Sequence, residues 1–195
     1  MVQSRNMKDF LRAVWRWARW PVYAALVLAL MFVALVIWRM FVLADNDQTK
    51  VDVARIHANK LVWSDINGEL PPEPDTAENN ATLAGVDSNG NGIRDDVERA
   101  IYLKYKDTPR VAIAALQYAK ELQMEFTEVR NSETLVAVIQ EEGRGSLCIL
   151  DNKIADSIEK MVVNTEQRKQ YQEDILRKYM TSYSLFNTGE CDITF

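Results

Sequence analysis

The stretch that decides the fold is PVYAALVLALMFVALVIW, residues 21–38, in which all 18 residues are apolar, aromatic or proline. A helix of that length is about 27 Å long at a rise of ~1.5 Å per residue. This nearly matches the roughly 30 Å of hydrocarbon in a bilayer. Residues 20–44 are therefore predicted to form a transmembrane helix. A buried helix in a soluble domain is the alternative, but such helices rarely lack a polar face over this length.

Basic and aromatic residues flank the apolar stretch, as they do at membrane interfaces. Most of the basic ones precede it, so residues 1–19 are predicted to be a cytoplasmic leader and the C-terminal body to cross the membrane. A cleaved signal peptide is the alternative, with Val42-Leu43-Ala44 as its cleavage region, but the apolar run exceeds the usual ~7–15 residues. The residues predicted at the interface are Arg12, Trp15, Arg16, Trp17, Arg19, Trp20, Trp38 and Arg39.

The formal net charge of -5 conceals a split along the chain. Residues 1–44 contain six Lys and Arg against one acidic residue, whereas residues 45–195 contain 17 Lys and Arg against 27 Asp and Glu. Nucleic acid binding requires clustered basic residues, which release the counterions of the phosphate backbone. The acidic body is therefore not expected to bind nucleic acid. The basic, apolar N-terminal part is expected to meet a lipid bilayer.

The body is predicted to be all-α. Residues 45–83, with a Pro-rich run at 70–74, are expected to be an extended tether. Residues 84–195 carry helical spacing of apolar side chains, which predicts a small bundle of five helices with little or no sheet. Thr108 and Pro109 predict the start of the second helix, and Gly143 and Gly145 are expected to interrupt the third.

Two cysteines, Cys148 and Cys191, lie in the body. In an exported domain both would meet an oxidising environment, and a disulfide between them would tie the tail to the bundle. One buried and one exposed thiol is the alternative. A catalytic thiol is not expected, because the single His, His57, lies in the tether region.

The most specific motif is DSNGNGIRDDVE, residues 87–98. It fits the twelve-residue calcium loop D-x-[DN]-x-[DN]-G-x5-E. Calcium takes six to eight oxygen ligands, which alternate side chains can supply as the loop curls around the ion. The predicted Ca²⁺ ligands are Asp87, Asn89, Asn91, the carbonyl of Ile93, Asp95 and Glu98. An Asx-rich turn that only caps the next helix is the alternative.

The loop departs from paired helix-loop-helix hands, because Ile93 comes one place early and the residues before it are turn-like. It is more similar to the unpaired calcium loops of thrombospondin type 3 repeats and dockerins. Two Asn in place of Asp lower the ligand charge and favour weak binding, ~10⁻⁴–10⁻³ M, as in extracellular modules.

Residues 70–102, LPPEPDTAENNATLAGVDSNGNGIRDDVERAIY, resemble a segment of a loose group of exported, membrane-anchored or lipoprotein-like proteins of Gram-negative bacteria. Those proteins pair a Pro-rich lead with an N-G-N-G-I/V-R-D-D-V/I-E loop and a helical tail that carries Cys. The resemblance implies the bacterial envelope and calcium, and it implies no activity. The expected location is the inner membrane, with residues 84–195 in the periplasm.

Three functions are compatible with this pattern. The first is an accessory or assembly subunit, which would contact other membrane or envelope proteins through residues 1–44 and the helical domain. The second is an envelope defence or exclusion protein. The third is a periplasmic hydrolase built on Glu141-Glu142 or Asp95-Asp96, which is disfavoured because adjacent carboxylates on a helix diverge. We predict no catalytic residues.

Overall fold

The computed structural model describes residues 3–61, 69–149, 151–180 and 191, apart from the side chains of residues 3–6, 8–14 and 18. Every regular element in these residues is an α-helix, which confirms the all-helical class. The chain divides into two compact units, Met1–Gln48 and Thr49–Phe195. The helices are α1 (Gln3–Ala58), α2 (Thr76–Asn79), α3 (Asp95–Tyr105), α4 (Pro109–Thr127), α5 (Ser132–Cys148), α6 (Asn152–Val162) and α7 (Glu166–Tyr179).

The N-terminal unit is part of α1 and contains the apolar stretch. Pro21 lies inside the helix without ending it. The most apolar 18-residue window is not buried at all, so this helix is long and apolar enough to cross a membrane. The side chain of Arg12 lies outside the described residues. The other predicted interface residues are all exposed: Trp15, Arg16, Trp17, Arg19, Trp20, Trp38 and Arg39.

The prediction of an extended tether over residues 45–83 differs from the structure in residues 45–58, which continue α1. The reason is a short amphipathic pattern, because Thr49, Asp52 and Ile56 are buried at helical spacing. The Asn131 side chain donates to the Thr49 hydroxyl at 2.9 Å. Arg130 pairs with Asp52 at 3.1 Å. Residues 62–68 of the predicted tether lie outside the described residues, and residues 69–75 form no regular element.

The C-terminal unit is organised around α4, which packs against α3, α5, α6 and α7. The five predicted helices of the bundle are present as α3–α7. One core cluster joins α3, α4 and α6 around Ile101, Ala115 and Ile158. A second joins the end of α1 to α4, α5 and α7 around Ile56, Leu135 and Ile175. Because α4 has neighbours on nearly every side, its polar residues are buried together with its apolar ones.

The prediction that Gly143 and Gly145 interrupt a helix was wrong, because both lie inside α5. Gly145 instead allows a close approach between α5 and α4. A Cβ atom built at Gly145 would lie well inside the van der Waals radius of the Glu121 carboxylate on α4. The glycine therefore leaves room for the Glu121 carboxylate, which a larger side chain at this position would have to displace.

Cys148 and Cys191 form a disulfide, as predicted. The bond joins the last residue of α5 to the C-terminal segment, across a sequence separation of 43. Closing a loop of that length stabilises the fold by about 4 kcal/mol in the chain-entropy model. Residues 181–190 and 192–195 lie outside the described residues.

Candidate metal-binding loop

The chain segment before the loop is irregular and is held by side chains of the helices. The buried guanidinium of Arg168 on α7 donates from Nε to the Leu83 carbonyl at 2.9 Å and from Nη2 to the Asn79 carbonyl at 2.8 Å. It also reaches the Asn80 side chain and the Thr82 carbonyl at 3.2 Å each. Burial lowers the pKa of Arg168 to about 10, so the guanidinium stays charged at neutral pH.

Side chains of α4 bind the irregular backbone in the same way. The Gln117 side chain accepts from the Leu61 amide at 2.9 Å. Lys120 donates to the Lys60 carbonyl at 3.1 Å, and Gln123 donates to the Ala84 carbonyl at 2.8 Å. Buried backbone groups must find partners, and here polar residues of a buried helix provide them.

A second buried arginine connects the loop to the rest of the bundle. Arg94, which is 0% exposed, donates to the carbonyls of Val162 at 3.0 Å and Met161 at 2.8 Å. These carbonyls end α6 and have no partner within their own helix. Gly85, with φ of +72°, lies directly against the Arg94 side chain, since a Cβ there would overlap its Cδ. Residue 85 must therefore be glycine for both steric and backbone reasons.

Inside the loop, Asp87 organises the backbone. Its Oδ1 accepts from the amides of Gly90 at 2.8 Å and Asn91 at 3.2 Å, and its Oδ2 accepts from the amide of Gly92 at 2.9 Å. Gly90 and Gly92 have φ values of +70° and +86°, which favour glycine. The chain therefore curls around the Asp87 carboxylate.

Glu98, in the first turn of α3, closes the loop from the other side. Its Oε2 accepts from the side-chain amides of Asn89 at 3.1 Å and Asn91 at 3.0 Å. Burial raises the pKa of Glu98, which the hydrogen bonds from Asn91 and Asn89 partly offset and the charges of Asp95 and Asp87 reinforce. The structure thus brings together the side chains of four predicted ligands: Asp87, Asn89, Asn91 and Glu98.

Asp95 is the most constrained of the predicted ligands. It is fully buried, and its Oδ1 accepts from the Ser88 amide at 3.0 Å. Its Oδ2 is also buried and has no hydrogen-bond donor among the described residues. A buried carboxylate oxygen without a donor is costly, and a cation is one partner that would remove the cost. The Ile93 side chain packs into the core, which leaves its backbone as the group available to a ligand.

The ligand types fit calcium, since carboxylate and amide oxygens are the atoms that this ion prefers. The positions of these side chains match a calcium site less closely than their chemical types do. No three His, Cys, Asp or Glu side chains in the described residues form a group that could hold a metal ion. Ion binding would therefore require the carboxylates of Asp87, Asp95 and Glu98 to move closer together and the two Asn side chains to present oxygen.

The acid pairs considered for a hydrolase have structural contacts instead. Arg94 pairs with Asp96. Glu141 is almost fully buried and contacts both Arg144 and Nδ1 of His57. His57, expected in a solvated tether, is half-buried in this contact, and its pKa is lowered, first by burial and then by Arg144. The spacing of Asp52, Ile56 and their neighbours is the signal that could have placed the end of α1 in the bundle.

Comparison with protein-family models, with curated proteins and with solved structures finds no match to this chain.

The Arg168 contacts lead to a stability prediction. Arg168→Met removes the donors for four acceptors of residues 79–83, of which the Asn79 carbonyl is buried and the others are partly buried. A buried acceptor costs roughly 1–3 kcal/mol when unsatisfied. We expect the free energy of unfolding to fall by at least about 3 kcal/mol, measured by urea unfolding in mild detergent with the near-ultraviolet tyrosine signal. Arg177→Met is the matched control, because Arg177 lies on the same helix in an exposed pair with Asp174 and should cost under about 1 kcal/mol. Equal losses would contradict this role for Arg168.

Proposed function

We propose that this protein is a single-pass anchored subunit of a larger envelope or membrane complex. The apolar part of α1 would lie in the inner membrane, and the helical body would lie in the periplasm. The observation that carries the proposal is the apolar stretch of α1, which is exposed along its whole length. In water, such a surface would be strongly unfavourable at ~25 cal/mol per Å². A bilayer or a partner helix would cover it.

The body supports a binding role rather than a chemical one. The charged side chains most deeply placed in it, such as Arg94, Arg168 and Glu141, are engaged in contacts that hold helices and backbone together. A disulfide further constrains its C-terminal segment. These features favour a rigid module that presents a surface on the periplasmic side.

We further propose that residues 87–98 bind one calcium ion as a structural clamp. The support is the motif itself, the convergence of Asp87, Asn89, Asn91 and Glu98, and the donor-less buried oxygen of Asp95. Because Arg94 in this loop also binds the end of α6, the ion would stabilise the bundle as well as the loop.

The orientation can be tested with reporter fusions to the full chain. A phosphatase that is active only outside the cytoplasm, fused after Phe195, should be active, whereas a fluorescent protein at the same position should stay dark. The physical reason is the positive leader, which remains on the cytoplasmic side. Replacing Arg12, Arg16 and Arg19 with Gln should reduce phosphatase activity, and replacing the exposed Lys153, Lys160 and Lys169 of the body with Gln should not. A fluorescent, phosphatase-negative wild type would overturn the periplasmic assignment.

The subunit role can be tested in native membranes at natural expression level. A photo-crosslinking residue at Leu28 or Leu35, both exposed in α1, should yield a discrete adduct that is larger than the protein alone. The protein should also elute with that partner after extraction in mild detergent. A crosslinker at the exposed Lys169 of α7 serves as a comparison. Crosslinks to lipid only, together with elution as a lone monomer in every gentle preparation, would contradict the proposal.

Calcium binding predicts a shift in stability. At an ion concentration ten times the Kd, the full chain should gain about 1.4 kcal/mol, measured as a higher urea midpoint with calcium than with chelator. Glu98→Gln and Asp87→Asn should abolish the shift, because each removes a charged ligand. Asp107→Asn, an exposed acidic residue outside the loop, should preserve it. Identical midpoints with and without millimolar calcium would show that the loop is only a helix cap.

A further inference from the structure

An open cavity of about 610 Å³ lies beside the C-terminal end of α7. Its lining includes the apolar side chains of Val129 and Ile175 and the rings of Tyr171 and Tyr179. Val53 of α1 packs against the core cluster to which these residues belong. The cavity therefore lies where the last turns of α1 join the helical body.

The ion pairs next to the cavity place their cations outward. Arg55 of α1 and Arg130, which follows Val129, have side chains that are 51% and 57% exposed. Asp52 pairs with both arginines at 3.1 Å, and Glu128 pairs with Arg55 at 2.7 Å. These two carboxylates are only 6% and 15% exposed. Solvent therefore meets the guanidinium groups more than the acids that hold them.

The end of α7 adds two more cations to the same place. Arg177 and Lys178 line the cavity together with Asp174, the one acid among its described lining residues. Arg177 is largely exposed and pairs with Asp174 at 2.6 Å. Lys178 is exposed too, and its Nζ lies 4.7 Å from the centre of the Tyr179 ring. Met180, which comes next, is a large apolar side chain that is also exposed.

The length of the chain keeps these side chains near the bilayer. The segment proposed to span the membrane ends at Ala44, and Thr49 is already buried in the body. Five residues reach at most about 18 Å, whatever the direction of the helix. The Thr49 hydroxyl accepts from the side chain of Asn131, the residue after Arg130. Arg130 is therefore tethered close to the lipid headgroups around α1.

We propose that these side chains form a basic surface that binds the phosphate groups of anionic phospholipids in the membrane that α1 enters, and so docks the body on the bilayer. The basic surface consists of Arg55, Arg130, Arg177, Lys178, Tyr179 and Met180. The inference rests on the proposed anchoring of α1.

The chemistry of the basic surface matches a lipid surface. Guanidinium groups fit phosphate oxygens in both charge and geometry, and tyrosine rings favour the headgroup region, where one end can be apolar and the other wet. Acidic residues outnumber basic ones in the body as a whole, so anionic lipid would repel most of its other faces. Attraction at the basic surface would therefore also decide which side of the body meets the bilayer.

The test uses the full chain in lipid nanodiscs, with a fluorophore attached at Met180→Cys. The native cysteines are joined in a disulfide, so the label attaches to position 180. A nitroxide on the headgroup of phosphatidylcholine quenches the fluorophore when the basic surface meets the bilayer. The docked-to-undocked ratio obtained from this quenching should be at least about fivefold higher in equal parts of phosphatidylcholine and phosphatidylglycerol than in phosphatidylcholine alone.

A pair of double variants separates the basic surface from overall charge. Arg177→Gln with Lys178→Gln removes two exposed cations without touching the pairs of Asp52, and should lower the ratio in the mixed lipid by at least about fivefold. Lys153→Gln with Lys160→Gln makes the same change in charge at exposed positions of α6. This control should leave the ratio nearly unchanged, because α6 contributes no residue to the basic surface.

Co-elution with the nanodiscs distinguishes failure of the docking from failure of the anchoring. A chain that does not enter the nanodiscs would overturn both. A chain that enters them but is quenched equally in the two lipid compositions, or responds equally to the two double variants, would overturn the docking alone. In native membranes, a photo-crosslinker at position 180 that gives a discrete protein adduct and no lipid adduct would assign the basic surface to a protein partner and would also overturn the proposal.

Discussion

The arrangement of the body depends on one constraint, which is that the irregular backbone beside the bundle must have hydrogen-bond partners. Residues 60–61 and 79–84 form no long helix and no sheet, so several of their carbonyls and the Leu61 amide need partners from other elements. Gln117, Lys120 and Gln123 of α4 and Arg168 of α7 supply those partners. This explains why α4 buries amide and charged side chains among its alanines and leucines. It also explains why Arg168, whose guanidinium has several donors, binds the backbone of residues 79–83.

The same contacts place the candidate calcium loop. Arg168 fixes the chain that enters the loop, and Arg94 fixes the chain that leaves it by binding the end of α6. Between them, Asp87 gathers the amides of the turn while Glu98 receives the amides of Asn89 and Asn91. The loop is thus largely formed by protein hydrogen bonds alone. An ion would have to draw the three carboxylates together and turn the two Asn side chains, while the backbone of the loop is already held in place by Asp87.

The sequence was sufficient for features that depend on local pattern. The apolar run predicted the exposed helix, the spacing of apolar residues predicted five helices in the body, and Pro109 marked the start of α4. The disulfide followed from the number of cysteines and the expected compartment. Features that depend on long-range packing were missed. Residues 45–58 resemble a polar tether in the sequence because most of their side chains are exposed. Gly145 was predicted to break a helix, because the sequence alone does not show that the Glu121 carboxylate lies against it.

The covalent bond between Cys148 and Cys191 has a further consequence for the response of the chain to proteases. It encloses α6 and α7 in one ring, so the backbone can be cut once anywhere between these cysteines and both fragments remain joined. Such a nicked molecule would keep its mass until a reductant separated the pieces. The ring thereby keeps α6 and α7 covalently attached to the rest of the bundle after a single cleavage between the two cysteines.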